Sequence, residues 1–404
     1  MNRITQCLHG RGTVSEMSRH LHGSRNQSSG RNIAFSGTDK PVIFWNVTNR
    51  CNLFCKHCYS SSGSDSGNED LSNSQALSLI DDLSGMGIPL IIFTGGEPLL
   101  REDIFELAGY ARSKGIATAL SSNGTLITAK SAFDIKNSGI DYVGISLDGA
   151  SAETHNRFRG SSDAFELTTT AFKHCRNAGL RSGVRVTINK ENYGELEDLI
   201  DLAVNLGASR FCLYWLVPSG RGAEAYNNFQ LEENEVNGVL SLLYRKAKEI
   251  SPAVMEFLTV DAPQDAIHLL ASMNRDGSED LAAAKHLVAS LNGGCSAGTR
   301  VANISHRGYV YPCQFAQSDE FCIGDINEIP FSSLWGDGNN PVIALFRKKT
   351  LLLEGKCKNC QHKMLCGGGC RVRANYMNND FYSEDPFCFI REELNINDLF
   401  SDRK

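Results

Sequence analysis

From residue 41 to about residue 250 the chain repeats one unit, a short apolar and β-branched run followed by a longer amphipathic one. The strand candidates are PVIFWNV, PLIIFTGG, IATALSSNG, YVGISLDG, SGVRVTIN and RFCLYWLV. Among the stretches that follow them are SNSQALSLIDDLSGMG, REDIFELAGYARSKG, DAFELTTTAFKHCRNAG and YGELEDLIDLAVNLG. Each has apolar residues at helical spacing and closes on a glycine that suits a helix C-cap. Six such units in series leave few options, because consecutive parallel strands are joined by crossovers that cover the sheet. The expected fold class is α/β, a partial (β/α)6 TIM-like barrel.

In barrels of this kind chemistry gathers at the C-terminal ends of the strands. Here TGGEP follows the second strand, SSNG the third and SLDG the fourth. RCNLFCKHCY follows the first, so Cys51, Cys55 and Cys58 open onto the same rim at C-x3-C-x2-C spacing. A closed zinc or iron–sulfur site takes four protein ligands. Three thiolates can instead hold three irons of a [4Fe–4S] cluster and leave the fourth iron able to bind a small molecule. The competing reading is a zinc knuckle completed by His57, but His57 and Cys58 are adjacent and their side chains diverge.

The chain has 14 cysteines, and the first 40 residues hold no apolar block for a secretory signal. Metal binding in a reducing cytoplasm is therefore expected, rather than disulfides. The same 40 residues are rich in Arg and Ser, and TVSEMSRHLHG within them reads as a short surface helix. A net charge of −6 argues against a general nucleic-acid binder. No apolar run approaches the roughly 18 residues of a membrane span. Cys7, Cys175, Cys212 and Cys322 fall outside any motif and read as buried structural thiols; His9, His20 and His22 read as surface histidines.

Seven more cysteines follow at motif spacing. CSAGTRVANISHRGYVYPC gives Cys295 and Cys313; CKNCQHKMLCGGGC gives Cys357, Cys360, Cys366 and Cys370; EDPFC adds Cys388. They are too many for one zinc ribbon, although two structural zincs would account for the segment alone. The expected domains are an N-terminal extension (1–40), the barrel (41–250), a helical linker (251–294), a cysteine-rich domain (295–395) and a tail (396–404).

The C-x3-C-x2-C loop with Tyr59 beside its last cysteine, together with Gly95-Gly96-Glu97, resembles the radical S-adenosylmethionine superfamily. In that family the open iron is chelated by S-adenosylmethionine, which is cleaved to a 5′-deoxyadenosyl radical that abstracts hydrogen. The resemblance implies that Gly95, Gly96 and Glu97 hold the methionine amino group. It places Ser122, Asn123, Ser146 and Asp148 at cofactor-contacting strand ends. HNRFR at 155–159 is similar to the family's H-D-x-x-R, which makes Arg159 the partner of the cofactor carboxylate. Asn156 departs from that pattern, and Arg185 on the fifth strand is a second candidate.

The C-terminal cysteines resemble the SPASM extension, which carries two auxiliary [4Fe–4S] clusters. That resemblance assigns Cys295, Cys313 and Cys370 to one cluster and Cys357, Cys360, Cys366 and Cys388 to the other. The fourth position of the first is either Cys322 or open, and open is preferred. Cluster potentials range over roughly −700 to +450 mV, so such clusters can take up an electron after hydrogen abstraction.

PVIFWNVTNRCNLFCKHCY, GGEPLLREDIFELAGYARSKG, LVPSGRG, EFLTVD and EDPFCF together resemble the subgroup acting on tetrapyrrole side chains in siroheme-dependent heme and heme d1 synthesis. The implied substrate is an iron tetrapyrrole, most simply didecarboxysiroheme converted to iron-coproporphyrin III. Decarboxylation of iron-coproporphyrin III to heme is one alternative, and maturation of a ribosomally made peptide is another. The short span before the first strand speaks against the extra peptide-binding domain that such maturases often carry. The resemblance also implies a low-potential electron donor such as ferredoxin or flavodoxin. Arg221, in SGRG just past the sixth strand, is expected at the barrel mouth facing a substrate carboxylate. Eight Lys/Arg between 347 and 373, against Glu354 alone, would form a basic wall for a polycarboxylate or would offset anionic clusters.

Overall fold

The computed structural model describes residues 1–10, 40–64, 69–290 and 294–390. Its frame is one sheet. A short strand, β1 (Asn2–Arg3), precedes the six expected strands: β2 (Val42–Asn46), β3 (Leu90–Thr94), β4 (Ala117–Ser122), β5 (Tyr142–Ser146), β6 (Arg181–Ile188) and β7 (Arg210–Trp215). These are followed by β8 (Glu256–Val260), β9 (Val301–Ile304), β10 (Tyr309–Tyr311) and β11 (Gly324–Asp325). The order is β1-β8-β7-β6-β5-β4-β3-β2-β9-β10-β11. Every pair from β9 through β2 to β8 is parallel, with β1, β10 and β11 antiparallel at the ends.

Alternation along the strands sorts the residues onto two faces. Ile43, Trp45, Ile91, Phe93, Leu120, Val143, Val184 and Phe211 join the large core under the helices. The concave face carries Val42, Phe44, Ile92, Ala119 and Tyr142. The helices begin and end on local signals. Ser72 accepts from the Gln75 N–H in a capping box, and Gly87 closes that helix at φ 76°, which glycine adopts without strain.

Two segments differ from expectation. The span 251–294 was expected to be helical throughout, but EFLTV within it forms β8 and extends the parallel sheet beside β7. Glu256 and Thr259 interrupt the apolar run of β8, which makes it a weaker strand signal than the runs of β2 and β3. At the N-terminus, β1 pairs with β8 and the helix Ile4–His9 is buried on most of its sides. The expected surface helix over 13–23, with His20 and His22, lies outside the described residues. No helix among the described residues is long and apolar enough to cross a membrane.

Candidate active site

The loop leaving β2 is stitched to the end of β3. Gly96 N donates to Thr48 O at 2.8 Å and Glu97 N to Arg50 O at 2.9 Å. A Cβ on Gly95 would stand 2.4 Å from Thr48 O, and one on Gly96 2.1 Å from Arg50 O. The glycines are thus demanded by the close passage of the cysteine loop. The same loop is backed by Gly220, whose position leaves room for Cys58 O at 2.5 Å from a notional Cβ.

Cys51, Cys55 and Cys58 line one cavity of about 960 Å³. Tyr59, Gly95, Gly96, Ser122, Asn123, Ser146, Arg159 and Arg185 line it with them, so most of the expected cofactor residues converge. Burial pushes the Cys51 thiol up to about 12 and raises Cys55 as well. A metal centre binding here as thiolate would therefore release protons on loading. The donor set fits an iron–sulfur cluster: three thiols on the wall of a cavity that continues past them.

Glu97 and Asp148 are not on the cavity wall. The Glu97 carboxylate accepts from Ser122 Oγ at 2.9 Å, Asn123 N at 2.8 Å and Leu99 N at 3.2 Å, tying the ends of β3 and β4 together. Burial raises it to about 7 despite those donors. Asp148 pairs with Arg159 and accepts from Thr187 N at 2.8 Å. Burial opposes its charge, but Arg159 prevails and holds the carboxyl below the usual range. Arg159 also donates to Cys55 Sγ at 3.5 Å, so its charge is shared between a carboxylate and a cluster-facing sulfur. His57 stacks on Phe158 with ring centroids 4.3 Å apart, and burial lowers it to about 4.

Arg185 is different. It donates to Ser121 Oγ and, at 2.6 Å, to the Tyr214 hydroxyl, and it has no carboxylate partner among the described residues. Its charge also acts on the more distant Asp261. Arg221 does not reach the cavity. Its Nε donates to Cys55 O at 3.1 Å and its guanidinium lies 3.9 Å over the Phe54 ring, bracing the cysteine loop from outside.

The C-terminal cysteines separate into two sets. Cys295, Cys313 and Cys370 line an apolar cavity of about 1160 Å³, while Cys357, Cys360, Cys366 and Cys388 surround a smaller one of about 360 Å³. Gly367, Gly368 and Gly369 carry the chain from one set to the other at φ between 65° and 82°. Cys322 lies outside both cavities, its thiol donating to Gly324 O at 3.8 Å. The basic run is not a wall. Arg371 donates to the Phe381, Ser383 and Gly368 carbonyls, and Arg373 pairs with Asp385 at 2.9 Å while donating to the Leu216 and Asp261 carbonyls. Lys349 donates to Cys295 O at 2.7 Å. These buried cations hold loops that have almost no strands of their own.

Sequence reasoning missed Tyr214, Gln314 and Phe315, which line both large cavities and so lie between them. Tyr214 was readable from strand alternation with Cys212, whereas Gln314 and Phe315 required knowing where Cys313 goes. It also missed Asp261 on the second cavity, a non-glycine residue at φ 75° that burial raises to about 7.

The sequence pattern of the Radical SAM superfamily matches residues 45–203, and that of the SPASM iron-sulfur cluster-binding domain matches 295–361. The Fe-coproporphyrin III synthase of Methanosarcina barkeri is 36% identical over 89% of this chain and 90% of its own length. The pre-heme d1 synthase of Dinoroseobacter shibae is 36% identical over 88% and 87%. The crystal structure of Streptococcus suis SuiB bound to S-adenosylmethionine superposes with a TM-score of 0.69 over 87% of this chain and 78% of that one, at 17% identity.

Proposed function

Because the chain belongs to the Radical SAM superfamily and carries a SPASM domain, we propose that it trims carboxylate arms from an iron tetrapyrrole, converting didecarboxysiroheme to iron-coproporphyrin III. It is a radical S-adenosylmethionine enzyme with a [4Fe–4S] cluster and auxiliary iron–sulfur clusters. Cys51, Cys55 and Cys58 hold the first in this reading, Cys295, Cys313 and Cys370 one auxiliary cluster, and Cys357, Cys360, Cys366 and Cys388 the other. When bound, the first cluster and S-adenosylmethionine supply the 5′-deoxyadenosyl radical that takes hydrogen from a substrate arm.

The protein's own part is binding and orientation. Arg185 offers the cofactor carboxylate a cation with no carboxylate ion pair among the described residues, while Arg159, already shared with Asp148, steers the cysteine loop through Cys55. Ser146 and Asn123 offer polar contacts at the rim. One observation carries the substrate reading. The apolar cavity beside Cys295, Cys313 and Cys370 adjoins the cavity of Cys51, Cys55 and Cys58, with Tyr214, Gln314 and Phe315 on the wall of both, and arginines line it. A broad apolar chamber with a few cations suits a flat macrocycle edged with carboxylates.

The test is anaerobic incubation of the reconstituted enzyme with S-adenosylmethionine, dithionite and either didecarboxysiroheme or iron-coproporphyrin III, read by mass spectrometry. Loss of acetate arms from the first supports the reading. Loss of carbon dioxide from the second alone makes the protein a decarboxylase. If 5′-deoxyadenosine forms while both tetrapyrroles survive unchanged, the substrate assignment is wrong.

A further inference from the structure

We propose that Arg300 is the anchor for a distal carboxylate of the substrate, and so fixes which arm reaches the radical source. This rests on the tetrapyrrole reading above. Two arginines line the larger cavity, Arg3 and Arg300. Arg3 is already committed: it donates to Gln6 Oε1 at 3.1 Å and lies beside the charge of Glu256. Arg300 is half-buried, and one of its donors, Nη2, reaches Ser290 O at 3.2 Å. Among the described residues no carboxylate pairs with it. A guanidinium carries five N–H donors in a fork that matches a carboxylate, so most of its capacity faces an apolar chamber unused.

Its position gives the inference content. Val42 N donates to Arg300 O at 2.9 Å, which locks Arg300 beside the first residue of β2. The loop of Cys51, Cys55 and Cys58 leaves the last residue of the same strand. At about 3.3 Å per residue, β2 separates the two points by about 13 Å. Arg300 and the cysteine loop therefore stand at opposite ends of one strand. A carboxylate that survives the reaction is held at Arg300, and an arm on the opposite side of the ring is turned towards the cysteine loop. Arg185, in the other cavity, is left for the cofactor. A cation that meets a substrate carboxylate favours it over analogues that lack one, because that pairing is then lost.

The experiment compares reconstituted wild type with Arg300→Gln and Arg300→Lys. Glutamine keeps a donor for Ser290 O and removes the charge; lysine keeps the charge. The expected result for the glutamine variant is a KM for didecarboxysiroheme raised about ten-fold, the loss of one charge-assisted hydrogen bond. The lysine variant is expected to recover most of that. Iron content and substrate-free cleavage of S-adenosylmethionine should stay at wild-type values in both. Independently of any variant, wild type should bind the methyl ester of the tetrapyrrole about ten-fold more weakly than the acid, read from the macrocycle's absorption band. An unchanged KM in the glutamine variant, or equal binding of acid and ester, overturns the role of Arg300. If wild type binds neither acid nor ester, the tetrapyrrole reading itself has failed.

Discussion

At the scale of single residues, the site is organised by charges that neutralise one another and by one with no carboxylate ion pair among the described residues. Asp148 and Arg159 are both buried and in contact, so removing the carboxylate leaves a cation in a low-dielectric pocket. Asp148→Asn should destabilise the fold by about 3–5 kcal/mol. Urea unfolding under anaerobic, reducing conditions checks this, and a loss below about 1 kcal/mol, the range of exposed pairs, would show that solvent reaches the pair. Asp265 gives a pH-dependent case. Burial lifts its carboxyl from 3.8 to about 7, although Trp215 Nε1 donates to it at 2.7 Å. The folded state thus binds its proton more tightly than the unfolded one. The resulting stabilisation is complete below pH 3.8 and is lost as pH rises through about 7. Wild type should therefore lose stability relative to Asp265→Asn between pH 4 and pH 7, and a pH-independent difference would contradict the shift. What was legible in the sequence at this scale is what spacing encodes: the cysteines and the paired glycines. Glu97 was expected to meet an ammonium. The structure shows it bridging β3 to β4 as well, which depends on neighbours about 25 residues away and on which strand lies next to which.

At the scale of elements, turns matter more than helices. Gly369 sits at φ 79°, and a Cβ there would lie 2.3 Å from Asp385 Oδ2. Asp385 in turn accepts from Cys370 N at 2.8 Å and pairs with Arg373. Gly369→Ala should therefore disturb both C-terminal cysteine sets together. Iron and sulfide analysis should find less of both auxiliary clusters, with the cluster at Cys51, Cys55 and Cys58 retained; full iron content would show that the turn relaxes freely. The six parallel strands were legible because an apolar β-branched run followed by a helical period has few other solutions. Neither β1, two residues long, nor β8 carries such a signature. Both are fixed by pairing: Asn2 lies opposite Thr259, and Thr5 Oγ1 accepts from Phe257 N at 2.8 Å. The basic run at 347–373 is the opposite case. Of the two readings of that charge, a basic wall is not formed by Arg371 and Arg373, which turn inward to satisfy carbonyls and place their charge beside Cys357 and Cys370.

At the scale of the whole molecule, a strand-built barrel supports a cysteine domain that has little regular structure. The main apolar core joins the barrel to Ile304, Val310, Phe331 and Trp335 but takes little from the segment 349–390. The segment 349–390 has helices of at most eight residues, so metal coordination must supply much of its order. Stripping iron with a chelator should open 349–390 to limited proteolysis while a fragment containing 40–260 persists. Simultaneous loss of both would mean that the two parts fold as one unit. The central claim is that a tetrapyrrole arm lies against the radical source within the two adjoining cavities. The most direct measurement is anaerobic turnover of didecarboxysiroheme deuterated in its side chains, with mass analysis of the 5′-deoxyadenosine formed. The account predicts deuterium carried from the arm into the nucleoside. Turnover that leaves the nucleoside free of deuterium would contradict it.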